Sequence, residues 1–130
     1  MANIVTTRIL EDGVRNAVIH AYIASDGASG DETDTVLVDV STLAGAPSAV
    51  SVLKVTGNFA GFTGVLEWDA TADVPFLAVP DSSEFEFDGC EFAGITNNAG
   101  AGVTGDITIT TTGLGTAGDA GHLTFWVRKS

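Results

Sequence analysis

Carboxylates are the one abundant reactive group in this chain: 17 Asp and Glu stand against two histidines, one cysteine and five basic residues. Two groups are dense enough to act together. Glu84, Glu86 and Asp88 alternate along one stretch with Glu91 just beyond, and Asp26, Asp31, Glu32 and Asp34 crowd one loop. Carboxylate oxygens held by a turn are what calcium takes as ligands. Two carboxylates at a set separation are what glycoside hydrolysis needs. Neither group follows the EF-hand loop or a Gly-Gly-x-Gly-x-Asp repeat, and nothing in the spacing sets a separation for a glycosidase pair. A solvated acidic face is the favoured reading, and a small carboxylate hydrolase only bounds the possibilities.

The other reactive types are sparse. His20 falls mid-strand and His122 opens a strand after a Gly-rich turn, so each reads as a packed or surface histidine. No Gly-x-Ser-x-Gly elbow supports a Ser-His-Asp triad, and no Cys/His cluster has zinc spacing. Cys90 is the only cysteine, which excludes an internal disulfide. Asp88 and Glu91 beside it would raise its pKa and disfavour a reactive thiolate. We therefore expect no catalytic residue, no cofactor and no metal ligand, and not an enzyme.

Charge narrows the partners. The formal net charge is −12, with Arg8, Arg15, Lys54, Arg128 and Lys129 the only cations. Nucleic-acid affinity comes mainly from cations neutralising phosphates, and anionic membranes attract the same residues, so neither partner is expected. The N-terminus lacks a basic region followed by an apolar stretch, and no apolar run approaches a membrane helix, so a chain made and kept soluble in a cytosol is expected.

These residues must be positioned by strands. Glu84-Phe85-Glu86-Phe87-Asp88 and Asp106-Ile107-Thr108-Ile109-Thr110 alternate polar and apolar, which gives one buried and one wet face. The same period places Ala17, Ile19, Ala21 and Ile23 on a buried face, and Leu123, Phe125 and Val127 opposite His122, Thr124 and Trp126. Pro75 cannot donate to a ladder, so its strand lies at an edge or begins there. Gly57 to Gly61 reads as a turn, Ser41 to Ser48 as a loop, with room for one helical turn over Ser41 to Ala49, and Asp26 to Asp34 as a mobile loop with nothing to bury. The sum is one all-β domain over 1–130, an antiparallel β-sandwich, jelly-roll-like, of about eight or nine short strands. Residues 1–10 form an arm or an edge strand.

Four segments carry a likeness: Leu10-Glu11-Asp12-Gly13-Val14-Arg15-Asn16-Ala17-Val18, Leu66-Glu67-Trp68-Asp69-Ala70-Thr71, Gly94 through Ile107, and Thr110-Thr111-Thr112-Gly113. Together they resemble a family of small tailed-phage virion proteins, the capsid decoration (cement) proteins, from about Val5 to Lys129. The resemblance implies a β-sandwich and oligomers, commonly homotrimers. It implies a seat on the exterior of the head at local three-fold positions, clamping adjacent major capsid protein subunits. It carries no catalytic motif. The loop Asp26 to Asp34 departs from the family's shorter connection.

On this reading the partners are the major capsid protein and further copies of the chain, the location is the virion exterior, and the protein is made in the host cytoplasm. The contact candidates are Ile4, Val5, Arg8 and Arg15 toward the N-terminus and Trp126, Arg128 and Lys129 in the last strand, which combine apolar anchors with most of the positive charge. Trp is favoured at interfaces, and Trp126 falls on the polar face of its strand. The alternative is a carbohydrate- or calcium-binding β-sandwich adhesion module of a tail, fibre or surface.

Overall fold

The computed structural model describes residues 3–79, 82–86 and 95–129. Cys90, Asp88, Glu91, Phe87 and Phe92 lie outside the described residues. Nine strands follow one another: β1 (Ile4–Asp12), β2 (Asn16–Ala24), β3 (Thr35–Val38), β4 (Val50–Ala60), β5 (Thr63–Trp68), β6 (Val74–Val79), β7 (Ser82–Glu86), β8 (Ile107–Thr112) and β9 (Ala120–Lys129). A single 3-10 turn at Val40–Thr42 is the only helical element among the described residues, and the Asp39 carboxylate caps it by accepting from the Ser41 N–H. It begins one residue before the stretch in which a helical turn was expected.

Pairing explains the architecture. β2 pairs with β9, β3 with β8, β4 with β7 and β5 with β6, all antiparallel, so the chain is one long hairpin doubled at β5–β6. Alternate rungs of that hairpin fall in opposite sheets. One sheet runs β1-β2-β9-β4-β7 and the other β3-β8-β5-β6. A hairpin rolled in this way into two sheets is a jelly roll, with β1 added outside β2. Pro75 sits in β6, at the edge of the four-stranded sheet, where its missing N–H disturbs no inner ladder.

The inner faces make one core. Ala17, Ile19, Ala21 and Ile23 of β2 meet Leu123, Phe125 and Val127 of β9, and across the gap lie Leu66 and Trp68 of β5 with Ile107 and Ile109 of β8. Burying a side chain of this size contributes about 1.5–3 kcal/mol. Trp68 is fully buried and stacks on Phe76 at 4.2 Å between ring centroids. Phe59 and Phe62 stack at 4.5 Å at the β4–β5 turn.

The expected turn at Gly57 to Gly61 is corrected. β4 runs on through Gly57 to Ala60, and the chain reverses only at Gly61–Phe62. Gly57 lies across from Leu123, and a methyl group there would overlap Leu123 and the His122 carbonyl oxygen. The glycine serves close approach of two strands, not a reversal.

The loop from Asp26 to Asp34 is also more tightly held than expected. Asn3 Nδ2 donates to the Gly30 carbonyl and to Glu32 Oε2, each at 2.8 Å. Asp31 Oδ1 accepts the Leu114 N–H at 2.7 Å, and the Glu32 N–H donates to Thr111 Oγ1 at 2.8 Å. The carboxylates take up backbone N–H groups that the glycine-rich turns leave without ladder partners. Asp26 does this most fully. Hydrogen bonds from the Ser29 hydroxyl, the Ser29 N–H and the Ala28 N–H hold its pKa down to about 2.

A carboxylate depressed in the folded state stabilises above its unfolded pKa, and that contribution disappears as pH falls through the folded one. We expect Asp26 to titrate near pH 2 by carboxyl-carbon NMR and to move toward 3.8 in Ser29→Ala. A midpoint near 3.8 in the parent would show that these bonds are not kept in solution.

Candidate functional site

β1 is the free edge of the five-stranded sheet and the segment that most needs a partner. It is nine residues long and, among the described residues, pairs only with β2. Exposed edges with apolar side chains invite pairing with another chain unless something covers them. Of the large apolar residues exposed among those described, Ile4, Ile9, Leu10, Val14, Tyr22 and Val36 lie on β1, on the turn after it, or on β2 and β3 beside it. Leu10 is the extra residue of a β-bulge between Ile9 and Glu11, and it is 55% exposed. A bulge re-aims a side chain and increases local twist, so Leu10 leaves the alternation that would have set its face.

Register places the contact candidates. Arg8 pairs with His20 and Ile4 with Ala24, which puts both on the outer face, while Val5 turns inward against the core. Trp126 lies between Val18 of β2 and Lys54 of β4 on that outer face, with the Lys54 ammonium 5.2 Å from its ring centroid. Such a contact fixes the indole and lends it positive charge. Arg15, in the β1–β2 turn, and Trp126 line one cavity of about 420 Å³ with Glu11, Val14 and Leu53. Leu53 is again the extra residue of a bulge, between Val52 and Lys54. Arg128 shares the outer face, across from Asn16 and Ser51.

Lys129 differs from the other candidates: its ammonium binds Asp12, the Gly13 carbonyl at 2.6 Å and the Ala44 carbonyl at 3.0 Å. It ties the β1–β2 turn to the loop after the 3-10 turn. That tie, followed by the Ala44 N–H, lowers the Asp12 pKa. The structure thus joins Arg15 to Trp126 and turns Lys129 inward. Lys54 and Leu53 were not among the contact candidates, because only strand register brings them to Trp126.

A second cavity of about 290 Å³ opens between β1 and β3, lined by Thr7, Ile9, Val36 and Leu43 among others. On the outer face of the five-stranded sheet, His20 and His122 stack at 5.7 Å between centroids. Glu84 and Glu86 of β7 fall across from Thr56 and Lys54 in register.

The strands of the four-stranded sheet hold one charged residue, Glu67. None of its strands holds a lysine or arginine. On its outer face Asp34, Glu67 and Asp73 each offer a carboxylate oxygen, all within 4.8 Å of one another. Thr110 Oγ1 stands 2.7 Å from Glu67 Oε1 and 3.2 Å from Asp34 Oδ1. Asp73 Oδ1 accepts the Ala70 N–H at 2.9 Å. Burial first, and then the charges of Asp34 and Asp73, push the Glu67 carboxyl above its usual range. Of this trio only Asp34 belongs to an acidic run in the sequence. Glu67 and Asp73 lie far from it along the chain: the β5–β6 reversal brings these two together, and the β3–β8–β5 pairing brings them to Asp34.

No protein-family model matches this chain, and no curated protein or solved structure matches it either.

Proposed function

We propose that this chain is a structural virion protein that binds the outside of a phage head and holds neighbouring major capsid protein subunits together. The observation that carries this reading is the free β1 edge with its exposed apolar residues. A strand edge of this length, flanked by apolar side chains, is stable in a soluble particle when another subunit covers it, either by strand addition or by apolar contact. The resemblance to decoration proteins supplies the head as the place where it is covered. The Arg15–Trp126 cavity lies at the end of the same edge and gives the contact an aromatic anchor. The acidic four-stranded sheet would then face solvent.

Light scattering of the purified chain, followed by co-sedimentation with expanded empty heads, tests this. The expected result is a trimer that pellets with heads and raises their melting temperature. A monomer that leaves heads unchanged would overturn the reading and favour a carbohydrate-binding module, with the Trp126 cavity as the site to examine on a glycan array. Trp126→Ala removes the anchor and the Lys54 contact without opening the core. It should weaken head binding by about tenfold to a hundredfold, as loss of a central interface Trp does, and leave the chain soluble. Undiminished head occupancy by this variant would exclude Trp126 from the contact.

A further inference from the structure

We propose that Asp34, Glu67 and Asp73, together with the Thr108 hydroxyl, form a calcium-binding site on the outer face of the four-stranded sheet. This site is separate from the β1 edge and does not depend on head binding. Three carboxylates alone would be an acidic surface. What distinguishes this one is Thr108, which is 1% exposed and whose hydroxyl has no hydrogen-bond partner.

The face that Thr108 takes follows from the strand. Ile107 and Ile109 on either side of Thr108 are fully buried in the core, so Thr108 points to the other face. It lies directly across from Glu67 in the β5–β8 ladder. Directly opposed residues of an antiparallel pair have Cβ atoms about 4.5–5.5 Å apart, so Thr108 and Glu67 leave their strands side by side on the outer face. A buried hydroxyl without a partner is a standing penalty, and coordination of its oxygen to a cation removes it.

The ligand set selects the ion class. All candidate ligands are oxygens, as hard cations require, and neither nitrogen nor sulfur contributes. Calcium oxygens at 2.3–2.6 Å span about 4.6–5.2 Å across the ion, whereas magnesium needs about 4.0–4.2 Å and near-octahedral order. The trio's carboxylate oxygens all lie within 4.8 Å of one another, inside the span that calcium bridges. No lysine or arginine on this sheet competes for the charge. Three carboxylates brought this close repel one another, and a divalent ion between them relieves that repulsion.

The test is calorimetric titration of the full chain, stripped with chelator, using calcium chloride. Melting curves in 5 mM calcium, 5 mM magnesium and sodium chloride of equal ionic strength accompany it. Binding with a Kd of about 10⁻⁴–10⁻³ M is expected, in the range of weak modular sites. At 5 mM calcium the melting temperature should rise by about 4–9 °C, beyond what sodium chloride produces by screening.

Asp73→Asn and Glu67→Gln should each weaken calcium binding by about tenfold or more through lost ligand charge. Thr108→Val should melt at or above the parent without calcium, yet bind calcium more weakly. The proposal is overturned if the parent shows neither binding heat nor a calcium-specific melting shift. It is equally overturned if Asp73→Asn or Thr108→Val binds calcium as the parent does.

Discussion

With glutamine at both Leu10 and Val14, the chain should lose at least about a hundredfold in affinity for expanded heads while melting within about 2 °C of the parent. Leu10 is 55% exposed and Val14 fully exposed, so neither substitution removes core packing. If the β1 edge is the contact surface, each apolar side chain is buried only on assembly. Replacing it loses its transfer free energy and places an amide where water is excluded. Glutamine is neutral, so the net charge of −12 and any long-range attraction to the head stay as they were. Val103→Gln is the matching control: it is 48% exposed but lies on the loop before β8, away from the edge. Co-sedimentation of the double variant at parental levels would exclude the β1 edge, and so would an equal loss in the Val103 variant.

Much of the strand content was legible because it rests on a period of two. Ala17, Ile19, Ala21 and Ile23 all fall on the buried face, as do Leu123, Phe125 and Val127. Pro75 marked an edge because it lacks a donor, and that argument needs no neighbour. The rolled hairpin was legible only as a class. Which strand lies beside which depends on long-range pairing, and no local pattern in β4 says that it touches both β9 and β7.

Bulges were invisible for a similar reason. Leu10 and Leu53 look like ordinary members of apolar runs until the partner strand is known, yet each is the inserted residue that leaves the alternation. The acidic clusters divide the same way. Density along the chain pointed to Asp26 through Asp34, where most carboxylates accept from nearby backbone N–H groups and hydroxyls. The trio with the geometry of a cation site draws one residue from that run. Its other two members, Glu67 and Asp73, are far from Asp34 in sequence, and its hydroxyl sits on β8.

Gly57→Ala should lower the melting temperature by about 8–12 °C, the consequence of about 2–3 kcal/mol of overpacking in a chain of this size. Along the inner face of β4, Val55 and Phe59 flank Gly57, and Gly57 lies across from Leu123. A methyl group there meets Leu123 Cδ2, which could turn, and the His122 carbonyl oxygen, which cannot. That carbonyl belongs to β9, held by β2 on one side and β4 on the other, so relief requires the two central strands to part. Gly121 is the reciprocal case, lying across from Phe59 of β4 where a side chain would strike the Phe59 ring. Gly115→Ala provides the contrast. It has open space around it and no left-handed backbone, and should melt within about 1 °C of the parent. The β4–β9 spacing also sets Lys54 against Trp126, so a Gly57 variant that still folds should bind heads less well through a displaced indole. If Gly57→Ala melts with the parent, then β4 and β9 do not approach as closely as described, and the register that builds the Trp126 cavity fails with it.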